Sequence, residues 1–290
     1  MRGESKKQPP VAAHPSTSEP ADFPVPADLI GHGPARVIAL CNQKGGVGKT
    51  TTAINLGAAL AQYGRKVLIV DFDPQGAATV ATGAAVMEDD KTIYNALMDP
   101  GVGIEEIIRS TSLPGLDVAP ANIDLSAAEV QLVGEVAREN TLARTLRSVM
   151  DNYDVILVDC QPSLGLLTVN ALTAAHGVII PLETEYFALR GVALLVETIS
   201  KVADRLNPRL KIDGIVATMF DTRTLHAREV LERVREAFGQ QVYDTVIART
   251  VKFPDASVAA ESILTFAPNH PGAKSYRRLA RELVARGDAA

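Results

Sequence analysis

The sequence predicts an α/β protein whose doubly wound, mostly parallel sheet is flanked by helices. Short, continuous apolar runs of the kind that parallel sheets bury on both faces recur along the chain. Stretches with helical periodicity separate these runs, and strands that alternate with helices are typical of a parallel, doubly wound sheet. A glycine-rich loop between the first apolar run and the first helical stretch is the third observation.

Each element has its own signal in the sequence. Residues 36–41 form the first apolar run, residues 50–63 have helical character, and residues 66–71 form the second apolar run. Further strands are predicted near residues 116–119, 154–159, 177–181, 212–219 and 244–247. Further helices are predicted over residues 192–206, 226–238 and 276–284. The last helix has one apolar face without bulky aromatic side chains, so we expect it to pack on the core rather than on a membrane.

Length and composition fit a globular protein with one large core. The chain has 290 residues, of which 47% are hydrophobic and 22% are charged. No stretch approaches the roughly 18 uninterrupted apolar residues of a membrane span, and we expect a cytoplasmic location. The two cysteines, Cys41 and Cys160, lie in or beside apolar strand-like runs, so we expect buried core residues rather than a disulfide framework or a metal cage.

The chain divides into a tail and one domain. Residues 1–34 are rich in proline, which breaks helices and central strands, so this segment is predicted to be a disordered tail. It is also too short and too rich in proline to hold a helix-turn-helix domain. Residues 35–290 contain no internal repeat and no linker, and we therefore expect a single domain there.

Charge is unevenly distributed. The formal net charge of −5 argues against a protein coated with basic surface. Residues 190–290 nevertheless carry 16 Lys and Arg against 12 Asp and Glu, whereas the rest of the chain carries 13 against 22. Charge counting alone favours solvated helix faces as the explanation.

The loop of residues 43–51 has the pattern of a phosphate-binding loop. Its glycines allow backbone N–H groups to face phosphate oxygens, Lys49 can reach the β- and γ-phosphates, and the Thr50 hydroxyl can bind Mg²⁺. Gln43 replaces the first glycine of the usual pattern. The predicted nucleotide-binding residues are Lys44, Gly45, Gly46, Val47, Gly48, Lys49, Thr50 and Thr51.

A second lysine in the loop suggests a further role. Because Lys49 already serves the γ-phosphate, Lys44 is free to project outward to a nucleotide bound by another subunit. There it would offset developing charge, and the nucleotide would join two subunits face to face. The spacing alone equally allows Lys44 to point into solvent.

Three aspartates follow predicted strands. Asp159 ends the run of residues 154–159 beside the loop, where it can hold Mg²⁺ directly or through water. Asp71 and Asp73 follow the second apolar run, and alternation places them on one side, close to the γ-phosphate and the metal. One of these two carboxylates is expected to orient or deprotonate the attacking water.

Four segments, residues 44–52 (KGGVGKTTT), 71–76 (DFDPQG), 159–165 (DCQPSLG) and 185–189 (EYFAL), combine specific motifs. Together they resemble the ParA family of partition ATPases, which have deviant phosphate loops, and the resemblance covers about residues 36–286. It implies that Lys44 acts across an ATP-sandwich homodimer, that Asp73 positions water, and that Asp159 is the Walker B acid at Mg²⁺.

The resemblance also implies a role on the nucleoid. The dimer would bind DNA without sequence preference, and a ParB-like centromere-binding partner would stimulate a slow ATP hydrolysis that releases it. Residues 247–252 resemble the family's late basic segment, although Ala248 stands where a proline is usual. Arg223, Arg249 and Lys252 are therefore the candidate DNA contacts, and such contacts would be sensitive to salt.

The sequence departs from the ParA pattern at two further places, and other protein families would require other features. Gln161 stands where the family usually has proline, and residues 183–184 (Glu-Thr) stand where relatives often have Gln-Cys. A MinD-like positioning ATPase would need an amphipathic membrane-binding tail after the last helix. An iron–sulfur carrier would need exposed cysteines, and a related tyrosine kinase would need a tyrosine cluster at its terminus. A regulator that only binds nucleotide would not need Asp73.

Overall fold

The computed structural model describes residues 22–185 and 188–287, which form one seven-stranded sheet with flanking helices. The strands are β1 (Arg36–Leu40), β2 (Val67–Phe72), β3 (Arg109–Ser110), β4 (Leu116–Ala119), β5 (Val155–Cys160), β6 (Gly177–Glu183) and β7 (Lys211–Thr218). Their order across the sheet is β3-β4-β2-β5-β1-β6-β7. Only the short β3 runs antiparallel to its neighbour, so the predicted doubly wound, mostly parallel sheet is confirmed.

Helices follow most strands. The α-helices are α1 (Lys49–Gln62), α2 (Ala77–Ala81), α3 (Ile93–Met98), α4 (Leu125–Gln131), α5 (Thr141–Thr145), α6 (Leu166–Ala174), α7 (Ala188–Arg205), α8 (Leu225–Phe238), α9 (Lys252–Val258), α10 (Ile263–Phe266) and α11 (Pro271–Ala285). Short 3₁₀ turns lie at Ile104–Glu106, Leu132–Gly134, Arg138–Asn140, Leu146–Asn152 and Gly239–Gln241. No helix in the described ranges is long and apolar enough to cross a membrane.

The core lies on both faces of the sheet. Successive side chains of a strand point to opposite faces, so Val37 and Ala39 of β1 pack with the layer that contains α6, α7 and α8. Ile38 and Leu40 pack on the other face with α1 and α11. Because both faces are covered, every residue of β2 and β5 is buried, which explains why these strands are continuous apolar runs.

One predicted strand is wrong. Residues 244–247 form no strand, and only isolated bridges pair the surrounding segment with β7 and its end, at Val242 and Ala248. The reason is a buried carboxylate on α11. Glu282 is fully buried and accepts hydrogen bonds from the backbone N–H groups of Asp244 and Thr245, at 2.8 and 2.9 Å. These N–H groups are therefore unavailable to a neighbouring strand.

Residues 22–34 contain neither helix nor strand. His32 and the backbone N–H of Gly33 contact the carboxylate of Asp154, at 2.8 and 2.9 Å. Arg281 of α11 bonds Asp22 at the other end of the segment. This part of the predicted tail lies against the domain, whereas residues 1–21, Tyr186, Phe187 and residues 288–290 lie outside the described part.

Candidate nucleotide-binding site

The glycine-rich loop lies at the carboxyl end of β1 and leads directly into α1. Gly46 and Gly48 have positive φ angles of 76° and 87°, a conformation that residues with a side chain rarely adopt. Gly48 precedes the first residue of α1 and provides no side-chain cap, so backbone N–H groups at this helix start are available to an anion.

Neighbouring strands hold the loop in place. The Thr218 hydroxyl at the end of β7 donates to the carbonyl of Val47 at 2.8 Å. Asn42 donates to the carbonyl of Pro181 in β6 at 2.7 Å, and its side-chain oxygen accepts from the backbone N–H of Lys44 at 3.0 Å. The loop is therefore fixed to β6 and β7 before any nucleotide is bound, which reduces the ordering cost of binding.

Lys49 is buried at the centre of the loop. It is 6% exposed, and its ammonium donates to the carbonyl of Lys44 at 3.2 Å. Burial lowers the pKa of Lys49, an effect that the negative charge of Asp159 opposes. A cation held in this position, inside the curve of the loop, is suited to neutralise phosphate oxygens.

Asp159 is a fully buried carboxylate at the end of β5. Neither of its oxygens has a hydrogen bond of normal geometry, although the nearby Thr50 hydroxyl acts to lower its pKa. Burial is the larger influence and, together with the adjacent charge of Asp71, raises the pKa of Asp159 above its usual range. A buried, unpaired carboxylate beside a hydroxyl is a donor set that suits Mg²⁺ with phosphate and water as its other ligands.

The two aspartates after β2 have different surroundings. Asp71 is fully buried, and its carboxylate accepts from the backbone N–H and the hydroxyl of Thr79, at 2.7 and 2.6 Å, and from the N–H of Asp73. Burial raises the pKa of Asp71, and these hydrogen bonds oppose the rise. Asp73 is partly exposed, and its carboxylate accepts from the N–H of Gln75 at 3.0 Å. Asp71 therefore fixes the start of α2, whereas Asp73 is partly exposed and lies close enough to Lys49 for its charge to raise the pKa of that lysine.

Lys44 lies on the outer side of the loop and is paired. Its ammonium contacts the carboxylates of Glu183 and Glu185 at 2.9 and 2.6 Å. Partial burial lowers the pKa of Lys44, but the bonds from Glu185 and Glu183 outweigh this and raise the pKa above its usual value. Lys44 therefore does not simply point into solvent, because two carboxylates of the same chain hold its half-exposed side chain.

A cavity of about 380 Å³ adjoins the start of α1, and sequence reasoning missed it. Residues that line it include Gly48, Thr51, Met219, Ala248, Phe253 and Tyr276. Its size and apolar walls suit a nucleoside base next to the phosphate loop. These residues come from α1, the end of β7 and the last third of the chain, and no local sequence pattern shows that they meet.

The three candidate DNA contacts are exposed but paired. Arg223 makes two bonds of 2.9 Å to Asp221, and these bonds lower the pKa of Asp221 to about 2. Arg249 contacts Glu183 at 2.7 Å, and Lys252 contacts Asp255 at 3.0 Å. Arg249 also acts on the charge of Asp221, so Arg223 and Arg249 share one surface region.

The two cysteines lie beside the site. Cys41 and Cys160 are buried and free, as expected, with their sulfur atoms 3.2 Å apart at the ends of β1 and β5. In the described part of the chain, no group of three or more acidic, His or Cys side chains is arranged to hold a metal ion.

Comparisons with known proteins agree with this geometry. A family profile described as an AAA domain matches residues 35–212. The sporulation initiation inhibitor protein Soj of Bacillus subtilis is 46% identical, over 87% of this chain and 99% of Soj. The chromosome partitioning protein ParA of Caulobacter vibrioides is 45% identical, over 87% of this chain and 95% of ParA.

A solved structure from Mycobacterium smegmatis, described as cobyrinic acid a,c-diamide synthase with bound ADP and magnesium, is also similar. It is 40% identical with a TM-score of 0.77, and the match covers 87% of this chain and 95% of that one. The family profile spans more than half of the chain, and Soj and ParA match along nearly their whole length. This chain is therefore a member of the ParA/Soj-type chromosome-partitioning ATPases, in the ParA/MinD superfamily of enzymes that hydrolyse ATP.

Proposed function

We propose that this chain is a DNA-segregation ATPase that binds DNA as an ATP-sandwich dimer. A ParB-like, centromere-binding partner would stimulate hydrolysis and so release the dimer from DNA. The observation that carries the proposal is the second lysine of the loop, Lys44, held on the outer side of a complete phosphate site. The protein would act on the nucleoid, in the cytoplasm.

ATP and Mg²⁺ fit the residues present. The left-handed glycines at positions 46 and 48 form a cradle that a side chain would strain, and Lys49 is buried at its centre. The unpaired carboxylate of Asp159 and the hydroxyl of Thr50 are the residues that would hold Mg²⁺. The identity of ATP rests on the family, because the base cavity contains no side-chain pattern that selects adenine by itself.

Different groups of the chain would have different roles in ATP hydrolysis. When bound, Mg²⁺ would withdraw charge from the β- and γ-phosphates. Lys49 and the N–H groups at the start of α1 would stabilise negative charge as the γ-phosphate leaves. Asp73 would orient the attacking water, because it is the partly exposed carboxylate after β2, whereas Asp71 is buried and bonded to Thr79.

The position of Lys44 supports the proposed dimer. Its side chain is 49% exposed on the outer side of the loop, while Lys49 occupies the inner position. A cation on this surface can contact a nucleotide that a second copy of the chain presents face to face. Dimerisation would then require ATP, since ADP lacks the γ-phosphate.

DNA binding would use exposed cations doubled by the dimer. Arg223, Arg249 and Lys252 belong to the last third of the chain, where basic residues outnumber acidic ones. Contacts of this kind reach phosphates, so binding would be independent of sequence and would weaken as salt rises. A MinD-like protein would instead bind anionic vesicles in an ATP-dependent way.

The decisive experiment is a titration of the protein with double-stranded DNA in ATP, in ADP and without nucleotide, over a series of salt concentrations. We expect tight binding only with ATP, and a linear fall of log K with log salt. Anionic lipid vesicles in the same three nucleotide states are the control for the membrane alternative.

Equal DNA binding in all three nucleotide states would contradict the proposal. ATP-dependent binding to vesicles without binding to DNA would support the MinD-like alternative instead.

A further inference from the structure

Glu183, the last residue of β6, bonds two separate cations at once. One carboxylate oxygen contacts the ammonium of Lys44 at 2.9 Å, and the other contacts the guanidinium of Arg249 at 2.7 Å. Lys44 belongs to the phosphate loop, and Arg249 belongs to the segment between the 3₁₀ turn at Gly239–Gln241 and α9. A single carboxylate therefore joins the loop proposed to assemble the dimer to a residue proposed to contact DNA.

Glu183 is better placed for this role than the other carboxylates nearby. Its side chain is 11% exposed, because β6 lies between β1 and β7 inside the sheet. Glu185, which also contacts Lys44, is 58% exposed, and among the described contacts it interacts with Arg249 only through its charge, without an ion pair. Ion pairs are screened less when a partner is buried, so Glu183 holds its two cations more firmly than a surface carboxylate would.

Glu183 competes with phosphate for both cations. Both Lys44 and Arg249 would be used to bind phosphate oxygens, in a second subunit's nucleotide and in DNA respectively. A carboxylate that already accepts from both cations must be replaced by phosphate before either contact forms. The internal bonds therefore set how much ATP and how much DNA are needed.

We propose that Glu183 is a positioning residue that withholds Lys44 and Arg249 from phosphate in the free subunit. It keeps the isolated subunit from assembling and from binding DNA without ATP. The inference rests on the proposed function, because it assigns Glu183 a part in ATP-dependent assembly and in DNA binding. Glu183 also lies in the pair of residues, 183–184, where the sequence departs from what is usual in the family.

Three substitutions separate the contacts. Glu183→Gln removes the charge that both cations share while it keeps the side-chain size. Glu185→Gln removes a bond to Lys44 and leaves the ion pair between Glu183 and Arg249 in place. Glu197→Gln is the matched surface control, because Glu197 forms an exposed pair with Lys201 within α7, away from both cations. Thermal unfolding of each variant shows whether the fold is kept.

Two measurements are made on each variant in the full-length chain. Light scattering across an ATP-analogue titration gives the protein concentration at which half of the subunits are dimers. Fluorescence anisotropy with a labelled DNA duplex gives DNA affinity, both with saturating analogue and without nucleotide. Damage to the fold can only weaken these two properties, whereas release of the cations strengthens them.

Glu183→Gln is expected to strengthen both properties, each by about threefold to tenfold, as the loss of a partly buried ion pair implies. The slope of log K for DNA against log salt should steepen by up to about two, because each dimer gains two fully available arginines. Glu185→Gln should strengthen assembly and should raise DNA affinity less than Glu183→Gln does, because Glu185 acts on Arg249 only through its charge. Glu197→Gln should match the wild type.

The inference is overturned if Glu183→Gln assembles and binds DNA no more tightly than Glu197→Gln while the wild type shows both activities. If the wild type itself neither assembles with ATP nor binds DNA, the proposed function fails and the inference fails with it. Unchanged DNA affinity with stronger assembly would also overturn the inference, because the bond to Arg249 would then have no effect.

Discussion

At the residue scale, burial and hydrogen bonding divide the roles of neighbouring carboxylates. Asp71 and Asp159 are paired across β2 and β5, yet Asp71 accepts bonds from Thr79 whereas Asp159 has no hydrogen bond of normal geometry. The sequence leaves open whether Asp71 or Asp73 serves the water, because both follow the same strand. Asp73 is the more exposed of the two and accepts only from the N–H of Gln75 among the described contacts, and we therefore propose that Asp73 positions the water.

Asp73→Asn should lower the rate of phosphate release by about a hundredfold or more, as loss of a group that positions or deprotonates water does. ATP binding and thermal stability should stay near wild type, because Asp73 is partly exposed. Asp71→Asn is the matched comparison. It should destabilise the fold by about 2 kcal/mol, since an amide cannot accept all the bonds that Asp71 now accepts.

Phosphate release and chemical denaturation of both variants test this assignment. Wild-type turnover in Asp73→Asn, combined with strong loss of turnover in a stable Asp71→Asn, would show that Asp71 rather than Asp73 positions the attacking water.

At the element scale, the start of α1 depends on glycine for two separate reasons. Gly48 has a left-handed backbone, and its N–H is one of the donors at the helix start that we propose face the phosphates. Gly64, two residues after α1 ends, has a similar φ of 78° but lies far from the site. A Cβ at either position has room, since it meets only atoms of Thr218 at 3.9 Å in one case and nothing within 4 Å in the other.

Gly48→Ala and Gly64→Ala should therefore each destabilise the fold by about 1 to 2 kcal/mol through backbone strain. Only Gly48→Ala should also weaken ATP binding, by tenfold or more, since the loop must shift to relieve the strain. Denaturant unfolding and calorimetric titration with ATP measure the two effects. Equal ATP affinity in the two variants would show that the loop conformation is not needed for phosphate binding.

The elements near the site differ in how well the sequence predicts them. The loop, α1 and β5 are predicted because their signals are local, namely glycines, a helical period and a buried apolar run ended by Asp159. Residues 244–247 look like a strand, but Glu282, 37 residues beyond Thr245, accepts hydrogen bonds from the N–H groups of Asp244 and Thr245. The base cavity and the partners of Lys44 also arise from residues distant in sequence, so no local pattern could show them.

At the scale of the whole molecule, the position of Lys44 leads us to predict how its loss affects ATP-dependent dimerisation. Lys44→Ala should bind ATP nearly as well as wild type, because Lys49 still occupies the loop, but it should remain monomeric with ATP. Lys66→Ala is the control, since Lys66 is exposed and directly precedes β2. It therefore lies at the amino ends of the strands, whereas the loop lies at their carboxyl ends.

Light scattering with ATP, together with phosphate release, measures this outcome. A Lys44→Ala protein that dimerises with ATP and turns over at the full rate would refute the sandwich dimer.

The contact between α1 and α11 has a consequence for the order of events during synthesis. The Thr52 hydroxyl lies 3.2 Å from that of Tyr276, which is 224 residues further along the chain, and Tyr276 also lines the base cavity. At a translation rate of roughly 5 to 20 residues per second, about 10 to 45 seconds separate the two residues on the ribosome. The nascent chain thus carries its phosphate loop long before it can enclose a base, and a ribosome-bound fragment lacking α11 should not retain ATP.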